Sequence, residues 1–597
     1  MRSKKLFATL LLTFPLIASM TACKGSTSGK TIRVLNLEDY IYIYNPKDGY
    51  DEPNLTQQFE KYASGILGYD VHVIYDTSDT NESEYNDLLT GRINYDLVCT
   101  SDYMLQRFVR ENLVQPLDKS YLTNYNTYAS KEIKGRLDQI EVKVGDETKK
   151  LEDYAVGYMW GTLGLLVNPN YPTLASLGEE KLFEDLKSWD ILWNSEYNHT
   201  ASIKNSMRDT YAVALMHVYN DELEALKIQH NEGEITDEEY NYKLSKIFNL
   251  RDEKVTLPKV KEALNQLKGN IFGLEVDSGK QDIITGKIGI NLAWSGDAVY
   301  SMDQAEDLTK TDNPQEIYYA IPENGSNIWF DGWAMPKNDN RDPEVEKIAM
   351  MFLDYLSTPE IAYKNMDYTG YTSFIGGDEI LDLVTDWYDA RSYLVSTSEI
   401  VVSEGKKEEV YFDVMYIDPI TEEEVTSSWD DCLYSDEQDP AYDEVPVYYY
   451  NNDDELTYLY DEDGNQYYYN DWFCLDDYEE VDLSYFFDGT LTEYGLEDCI
   501  LLAEEYYSTE GNISVGRQFF CQYPDEETIN RCSVMEDYGE DNIKIVKLWE
   551  DFKSNPVPLW GIILLIIEAV VAAFLIGYFY FGRRVKKKLR IARQKVK

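Results

Sequence analysis

Acidic and aromatic side chains stand next to each other at four places in this 597-residue chain. These are residues 36–40, 101–103, 294–297 and 329–331, each predicted to lie where a strand ends and a loop begins. Carboxylates make strong hydrogen bonds to ammonium groups, and ring faces attract desolvated cations by roughly 0.5–2 kcal/mol each. Strand-end carboxylates interleaved with rings therefore predict a site for a flexible amine that has an apolar chain.

Each of these places is weak evidence when taken alone, because a tryptophan belongs to the core more often than to a ligand cage. Together, at the ends of strands in an acidic chain, the four places favour a binding site.

Strand and helix patterns alternate from residue 31 to about residue 364. The predicted strands are 31–35, 71–75, 95–99 and 288–292, and helices are predicted over 55–62 and 86–89. Short apolar strands separated by helices favour a parallel sheet in an α/β fold, with ligands bound at the strand ends. Between 179 and 267 the pattern is mostly helical, and 221–252 predicts a charged helical hairpin with a solvated face.

Residues 393–498 are dense in Asp, Glu and Tyr, with short Tyr/Val runs between turn sequences, which predicts β-hairpins. Asp461, Asp463 and Asn465 alternate as in a calcium loop. However, Gly464 is misplaced for an EF-hand and no glutamate follows at the required spacing. An acidic, solvated surface is the favoured interpretation.

The overall composition excludes some classes of function. A formal net charge of -55 repels phosphates, so nucleic-acid binding is not expected. Four His and seven Cys give no zinc-rich module. Cys99 is predicted to be buried in a strand. The later cysteines are odd in number, so their pairing stays open; they are Cys432, Cys474, Cys499, Cys521 and Cys532.

The N-terminus has the pattern of a bacterial lipoprotein signal. Basic residues precede an apolar run over 6–20, and Met-Thr-Ala then leads to Cys23. This resembles a lipobox, which implies cleavage before Cys23 and a lipid on its sulfur, with 23–30 as a tether.

A second membrane signal lies near the C-terminus. Residues 559–582 are apolar except for Glu568, which is long enough to span a bilayer. The basic tail 583–597 is then cytoplasmic by the positive-inside rule, and the exterior region precedes the span. Whether Glu568 faces a partner helix or has no role stays open.

Several motifs, in order along the chain, carry a resemblance to a known family. They are residues 32–41, Tyr-Asp-Leu-Val at 95–98 with Ser101 and Tyr103, Trp-Gly-Thr at 160–162, Ala-Trp-Ser-Gly at 293–296, Trp-Phe-Asp at 329–331, Gly-Tyr-Thr at 370–372 and Tyr-Pro-Asp-Glu at 523–526. Over 31–373 and 522–553 the chain resembles the spermidine/putrescine-binding proteins of bacterial ABC importers.

The resemblance implies a two-lobed periplasmic-binding-protein fold of type II that closes on a polyamine and delivers it to an ABC permease and its ATPase. It also implies roles for individual residues. The aromatic cage would be Tyr40, Trp294, Trp329 and Tyr371; Asp331 would be the central ammonium partner, Asp39 and Asp209 the partners at the ends of the cleft, and Ser101 and Tyr103 further hydrogen-bonding groups.

Three positions depart from the family pattern. Leu37 stands where the family has Trp, Ser206 where it has Asp, and Lys364 where it has Gln. Asp39 and Asp209 also replace Glu, which shortens their reach. The preferred polyamine therefore stays open.

The sequence divides into segments as follows: signal peptide 1–22, tether 23–30, first lobe 31–153, second lobe 154–328, return to the first lobe 329–392, acidic insertion 393–498, return to the second lobe 499–556, transmembrane helix 559–582 and tail 583–597. Two alternatives remain: the same fold with another small cationic amine, or an envelope interaction protein that uses the acidic insertion. No enzyme, cofactor or metal is expected, because no nucleophile elbow, His-Glu-x-x-His or Cys/His ligand set occurs.

Overall fold

The computed structural model describes residues 29–43, 53–276, 278–306, 315–388, 390, 479–503, 506–508, 513–554 and 571, with short backbone strands between 395 and 469. Cys23, Cys432, Cys474 and Glu568 lie outside the described residues, as does the predicted membrane span apart from residue 571. No helix within these described ranges is both long enough and apolar enough to cross a membrane.

The helices of the described part are capped by Ser, Thr and Asp side chains or closed by glycines at several ends, as expected from helix chemistry. They are α1 Leu55–Leu67, α2 Asn81–Thr90, α3 Asp102–Arg110, α4 Thr123–Tyr128, α5 Lys131–Asp138, α6 Pro172–Leu177, α7 Glu179–Asp185, α8 Met207–Val218, α9 Asn220–Asn231, α10 Asp237–Phe248, α11 Thr256–Asn270, α12 Ser278–Ile284, α13 Ser295–Glu306, α14 Pro343–Leu356, α15 Pro359–Thr369, α16 Asp378–Trp387, α17 Ser484–Phe487, α18 Gln518–Gln522, α19 Glu526–Asn530 and α20 Asn542–Lys553.

The strands fall into one large mixed sheet and several two-stranded pairs. They are β1 Lys30–Leu37, β2 Val71–Ser78, β3 Leu97–Ser101, β4 Val114–Gln115, β5 Glu141–Val144, β6 Glu147–Lys150, β7 Ala155–Val167, β8 Ala201–Lys204, β9 Gly273–Glu275, β10 Ile290–Trp294, β11 Tyr318–Ala320, β12 Ser326–Pro336, β13 Thr372–Ser373, β14 Val395–Ser403, β15 Lys406–Asp413, β16 Met415–Ile417, β17 Glu424–Thr426, β18 Val445–Pro446, β19 Tyr448–Tyr450, β20 Leu456–Tyr458, β21 Tyr468–Tyr469, β22 Glu479–Asp482, β23 Ile500–Ala503, β24 Val515–Gly516 and β25 Cys532–Ser533.

The large sheet has the order β2-β1-β3-β12-β7-β10-β8-β9. β1 pairs in parallel with β2 and β3, as the sequence predicts. However, β7 and β12 pair antiparallel with each other, so the expected parallel sheet is only partly correct. The 13 residues of β7 are all buried, and this strand runs continuously from one half of the molecule into the other.

Two hydrophobic core clusters divide the described residues into two lobes. The first part of β7, through Trp160, contributes to the first cluster, whereas Leu163, Leu165 and Val167 pack in the second. β7 is therefore shared by both lobes.

The C-terminal part of the chain contributes to both lobes. The sequence division assigns 499–556 to the second lobe, but buried side chains from Cys499 to Cys532 belong mainly to the first core cluster. Val515 and the stretch from Met535 to Phe552 pack in the second cluster. α17, inside the predicted acidic insertion, also buries Phe486 and Phe487 in the first core, because these aromatic side chains pack against Tyr523.

Two regions that the sequence singled out have the expected local structure. Helices α9 and α10 form the predicted helical hairpin, with Leu223, Tyr240 and Leu244 packed in the second core. Between 395 and 469 the backbone forms short antiparallel pairs, which confirms the predicted hairpins in that region.

Arg341 secures the junction of β12 with β3 and β4. Its guanidinium contacts Asp96 at 3.0 Å and donates to the side chain of Gln115 at 3.0 Å. It also donates to the main-chain carbonyls of Tyr95 and Pro336. The Arg341 side chain is only 2% exposed, so these bonds are shielded from water.

Removing this buried cation should destabilise the protein strongly. Arg341→Met leaves the Asp96 carboxylate without its ion pair, and breaking a buried pair costs about 3–5 kcal/mol. As a matched control, Lys261→Met breaks the exposed ion pair with Asp551 and should cost less than about 1 kcal/mol. Denaturant unfolding of the full-length protein in detergent measures both losses of unfolding free energy. Equal losses would contradict the stabilising role of the buried Arg341.

Candidate ligand-binding site

Asp331 lies in the middle of β12, between the neighbouring strands β3 and β7. Its backbone pairs with Ser101 of β3 and Met159 of β7, and the pairing with β7 shifts register directly after it. The Tyr40 hydroxyl donates to Asp331 Oδ2 at 2.7 Å. The other oxygen, Oδ1, is buried without a hydrogen-bond partner among the described residues. A buried carboxylate oxygen in this state is costly unless a donor is supplied.

An aromatic cluster surrounds this carboxylate and consists of Tyr40, Trp329 and Tyr371. The Tyr371 ring meets Tyr40 edge-on at 5.6 Å between centroids and Trp329 at 5.5 Å. Trp329 Nε1 donates to the main-chain oxygen of Thr162 at 3.2 Å, which fixes the indole plane. The rings of Trp329 and Tyr371 are half-buried, so the cluster keeps an open side.

Two glycines make room for the rings of this cluster. A Cβ on Gly161 of β7 would lie 2.6 Å from Trp329 Cζ2 and 2.3 Å from Ser295 Oγ. A Cβ on Gly296 would lie 2.4 Å from the Tyr371 ring. The absence of these side chains therefore sets the position of both rings.

Trp294 ends β10 and packs against the second core cluster, whereas Asp297 lies in the first turn of α13, whose buried side chains belong to the first cluster. The Tyr371 hydroxyl donates to Asp297 Oδ1 at 3.1 Å and links the aromatic cluster to α13. Lys204, the last residue of β8, contacts Asp297 Oδ2 at 3.1 Å and lies 4.5 Å from the centroid of the Trp294 ring. Burial raises the pKa of Asp297, but Lys204 and Lys280 hold it below its ordinary value.

The comparisons with known proteins identify the family. The model of the bacterial extracellular solute-binding proteins matches residues 54–377, more than half of the chain. The chain belongs to this family. The resemblance seen in the sequence is thereby confirmed, as is the two-lobed fold, and the protein is a transport component that binds a solute rather than an enzyme.

Named relatives of this solute-binding protein include two periplasmic proteins. A spermidine/putrescine-binding protein of Salmonella typhimurium is 25% identical over 56% of this chain and 77% of its own length. The putrescine-binding protein SpuD of Pseudomonas aeruginosa is 26% identical over 60% of this chain and 82% of its own. The crystal structure of the spermidine/putrescine transporter substrate-binding protein PotD from Streptococcus pneumoniae is 23% identical, with a TM-score of 0.40, covering 58% and 83% of the two chains.

The remaining predicted site residues of the solute-binding protein lie in different surroundings, and not all of them are near the aromatic cluster. Ser101 Oγ and the Tyr103 hydroxyl both accept from Asn81, each at 2.9 Å. The Arg208 guanidinium stacks on the Tyr103 ring at 3.7 Å. Asp39 stands exposed in the turn after β1 with a φ of 51°, so the structure does not bring it into the buried cluster.

Asp209 lies in the first turn of α8 and is buried. Its backbone N–H donates to the Ser206 hydroxyl, so Ser206 caps this helix where the family pattern has a carboxylate. Burial raises the pKa of Asp209 above its ordinary value, although hydrogen bonds with Ser206 and Trp294 and the charge of Lys204 oppose this. Asp209 is therefore a second carboxylate on the second-lobe side.

Two expectations about the local structure are corrected. Residues 329–331 were expected where a strand ends, but they lie inside the 11-residue β12. The run continues as a strand because it is buried nearly throughout and pairs on both sides. The strand expected over 288–292 is β10, which begins and ends two residues later, so Trp294 is its last residue.

Sequence reasoning missed two buried carboxylates and a buried cation, Lys204. Asp102 accepts from the Phe330 N–H at 3.0 Å, and burial raises its pKa to about 8. Glu84 is fully buried, neither carboxylate oxygen has a hydrogen-bond partner among the described residues, and burial raises its pKa to about 9. Nothing in the spacing of α2 distinguishes Glu84 from the solvated glutamates around it.

Enlarging Gly161 should disturb the aromatic cluster without unfolding the lobes. Gly161→Ala pushes the Trp329 indole out of place, because backbone pairing holds β7 and β12 together. The expected result is a loss of ligand affinity of at least tenfold, with a changed indole fluorescence. Gly65→Ala, a helix position with open space around the added methyl, is the control and should bind as the wild type does. Unchanged affinity in Gly161→Ala would contradict the importance of the Trp329 position.

Proposed function

We propose that this protein is the extracytoplasmic solute-binding subunit of an ABC importer and that it captures a polyamine. The proposal is supported by Asp331 Oδ1, which is buried beside the aromatic cluster without a hydrogen-bond partner among the described residues. An ammonium group is the ligand chemistry that both features favour, since the carboxylate supplies a charge-assisted hydrogen bond and the rings attract a cation.

The buried carboxyl groups around Asp331 support a cationic ligand, because a positive charge beside them would lower the pKa values that burial and Asp331 raise. The Asp331 carboxylate lies close enough to Asp102 and Glu84 to raise the pKa of both, and burial is the larger cause in each case. A ligand ammonium at Asp331 Oδ1 would add a positive charge and a donor to this acidic, water-poor region. The aromatic faces would then cover the methylene chain of the ligand.

The names of the relatives support the same ligand class, since those proteins are described as spermidine/putrescine-binding and putrescine-binding. Delivery to a membrane permease, driven by a cytoplasmic ATPase, follows from the same proposal. Closure of the two lobes around the ligand would precede this delivery, and β7 is the strand with buried residues in both core clusters.

A second candidate ligand is another small cationic amine in the same site. Ser206 favours it, because this hydroxyl caps α8 where the family pattern has a carboxylate. The removal of a carboxylate lowers the number of ligand ammonium groups that the site can neutralise.

Neutralising Asp331 should abolish binding of the ligand. Asp331→Asn keeps the shape and the bond to Tyr40 but removes the charge that pairs the ammonium, so the affinity for putrescine should fall at least a hundredfold. Titration calorimetry of the full-length protein in detergent measures this loss. Asp339→Asn, an exposed aspartate after β12, is the control and should bind as the wild type does. Equal binding by Asp331→Asn would remove the basis of the proposal.

The affinity should also depend on pH through Asp331. Burial raises the pKa of Asp331 above its ordinary value, although the hydroxyls of Tyr40 and Ser101 oppose this. Only the ionised form pairs with an ammonium, so binding is strongest above the raised pKa and weakens as the pH falls through it. The decline should therefore begin at a higher pH than for an ordinary aspartate, and it should be absent from residual binding by Asp331→Asn.

We also propose that the protein is held at the membrane through a lipid on Cys23 and through the apolar segment 559–582. Two anchors keep the lobes beside the permease and raise their local concentration. A variant that ends after Lys553, where α20 ends, keeps the described lobes and the lipid signal. Its uptake should fall at low ligand concentration and recover at high concentration in intact cells. Unchanged uptake at low concentration would contradict a role for the second anchor.

A further inference from the structure

A lysine of the chain itself lies at the second-lobe side of the candidate site. The Lys204 ammonium lies 4.5 Å from the centroid of the Trp294 ring. It contacts Asp297 at 3.1 Å and Glu275 at 3.2 Å and donates to the Val276 carbonyl at 3.3 Å. An aromatic face with two carboxylates is the same set of groups that would bind a ligand ammonium.

This lysine is built into the core and is not a surface side chain that could swing away. Its side chain is 1% exposed, and β8, which it ends, pairs with β10 and β9 on either side. Burial lowers the pKa of Lys204, but Asp297 and Glu275 raise it more, so the amine stays charged. A buried amine with these partners is a permanent positive charge.

The two sides of the site are therefore unequal in charge. Beside Trp294, Asp297 pairs with both Lys204 and Lys280 and also accepts from Tyr371. On the first lobe, Asp331 keeps one buried oxygen without a hydrogen-bond partner among the described residues. Asp297 and Glu275 already form ion pairs with Lys204, whereas Asp331 Oδ1 can still accept a hydrogen bond from a ligand.

We propose that Lys204 is a specificity residue that occupies the ammonium position over Trp294, so that the site selects diamines and rejects triamines. This inference rests on the proposed function and narrows its ligand class. Asp331 and Asp209 are then the two predicted site carboxylates that are buried without an ion pair among the described residues, and Asp209 also bonds with Ser206 and Trp294. A third ligand ammonium would approach the fixed charge of Lys204 and find its carboxylates already paired, and like charges at such short range repel.

The test compares putrescine, a diamine, with spermidine, a triamine, by titration calorimetry of the full-length protein in detergent. The wild type should bind putrescine at least tenfold more tightly than spermidine. Lys204→Met removes the built-in cation and leaves Asp297 and Glu275 able to accept a ligand ammonium. The preference should then shift toward spermidine by at least tenfold, through a gain in spermidine affinity.

Two further variants keep the test decisive. Lys287→Met, which removes an exposed lysine paired with Asp282, should leave the preference unchanged. If Lys204→Met does not fold, Lys204→Met/Glu275→Gln removes one charge of each sign and should show the same shift.

The results distinguish a failure of the role of Lys204 from a failure of the proposed function. Binding of both amines with spermidine tighter in the wild type, or the same preference in the wild type and in a folded Lys204 variant, overturns the role of Lys204 and leaves the proposed function intact. Failure of the folded wild type to bind either amine overturns the proposed function itself.

Discussion

The hydrogen bond from the Tyr40 hydroxyl to Asp331 fixes the geometry on which the candidate site depends. The bond, 2.7 Å long, satisfies one carboxylate oxygen, and the other is buried without a hydrogen-bond partner among the described residues. Leaving a buried acceptor unpaired costs about 1–3 kcal/mol. A ligand that supplies the missing donor recovers this free energy as affinity.

The sheet makes this arrangement possible because it carries Asp331 on a rigid strand. β12 pairs with β3 on one side and with the fully buried β7 on the other. β7 continues into the second lobe, where it pairs with β10, whose last residue is Trp294. A movement of one lobe relative to the other is therefore constrained by the strand that both lobes share, and Asp297 connects Tyr371 with Lys204 of β8.

The elements with strong local signals were predictable from the sequence. The strand at β1, the helix at α1 and the buried Cys99 follow from apolar periodicity, which is a local property. The division of the C-terminal part was not predictable in the same way, because Tyr523 packs against Phe486 across a long separation in the chain. The assignment of 499–556 to one lobe could not anticipate this contact.

The same distinction applies to the residues of the candidate site: those with a local sequence motif were predictable, and those defined by packing were not. Neighbouring aromatic and acidic residues in the sequence pointed to Asp331, Trp329 and Trp294, since each has its own local motif. Lys204 and Glu84 have no such motif, because their importance comes from what the fold packs around them. Lys204 becomes visible only when β8 and α13 bring it to Asp297, and Glu84 only when α2 is seen to be buried at that point.

A crystal structure of the protein with putrescine bound would show whether Asp331 pairs with the ligand ammonium. We expect a ligand nitrogen about 2.7–2.9 Å from Asp331 Oδ1, within the aromatic cluster, with Lys204 still over the Trp294 ring. A bound diamine that leaves Asp331 Oδ1 unpaired, or that lies away from Tyr40, Trp329 and Tyr371, would contradict this expectation.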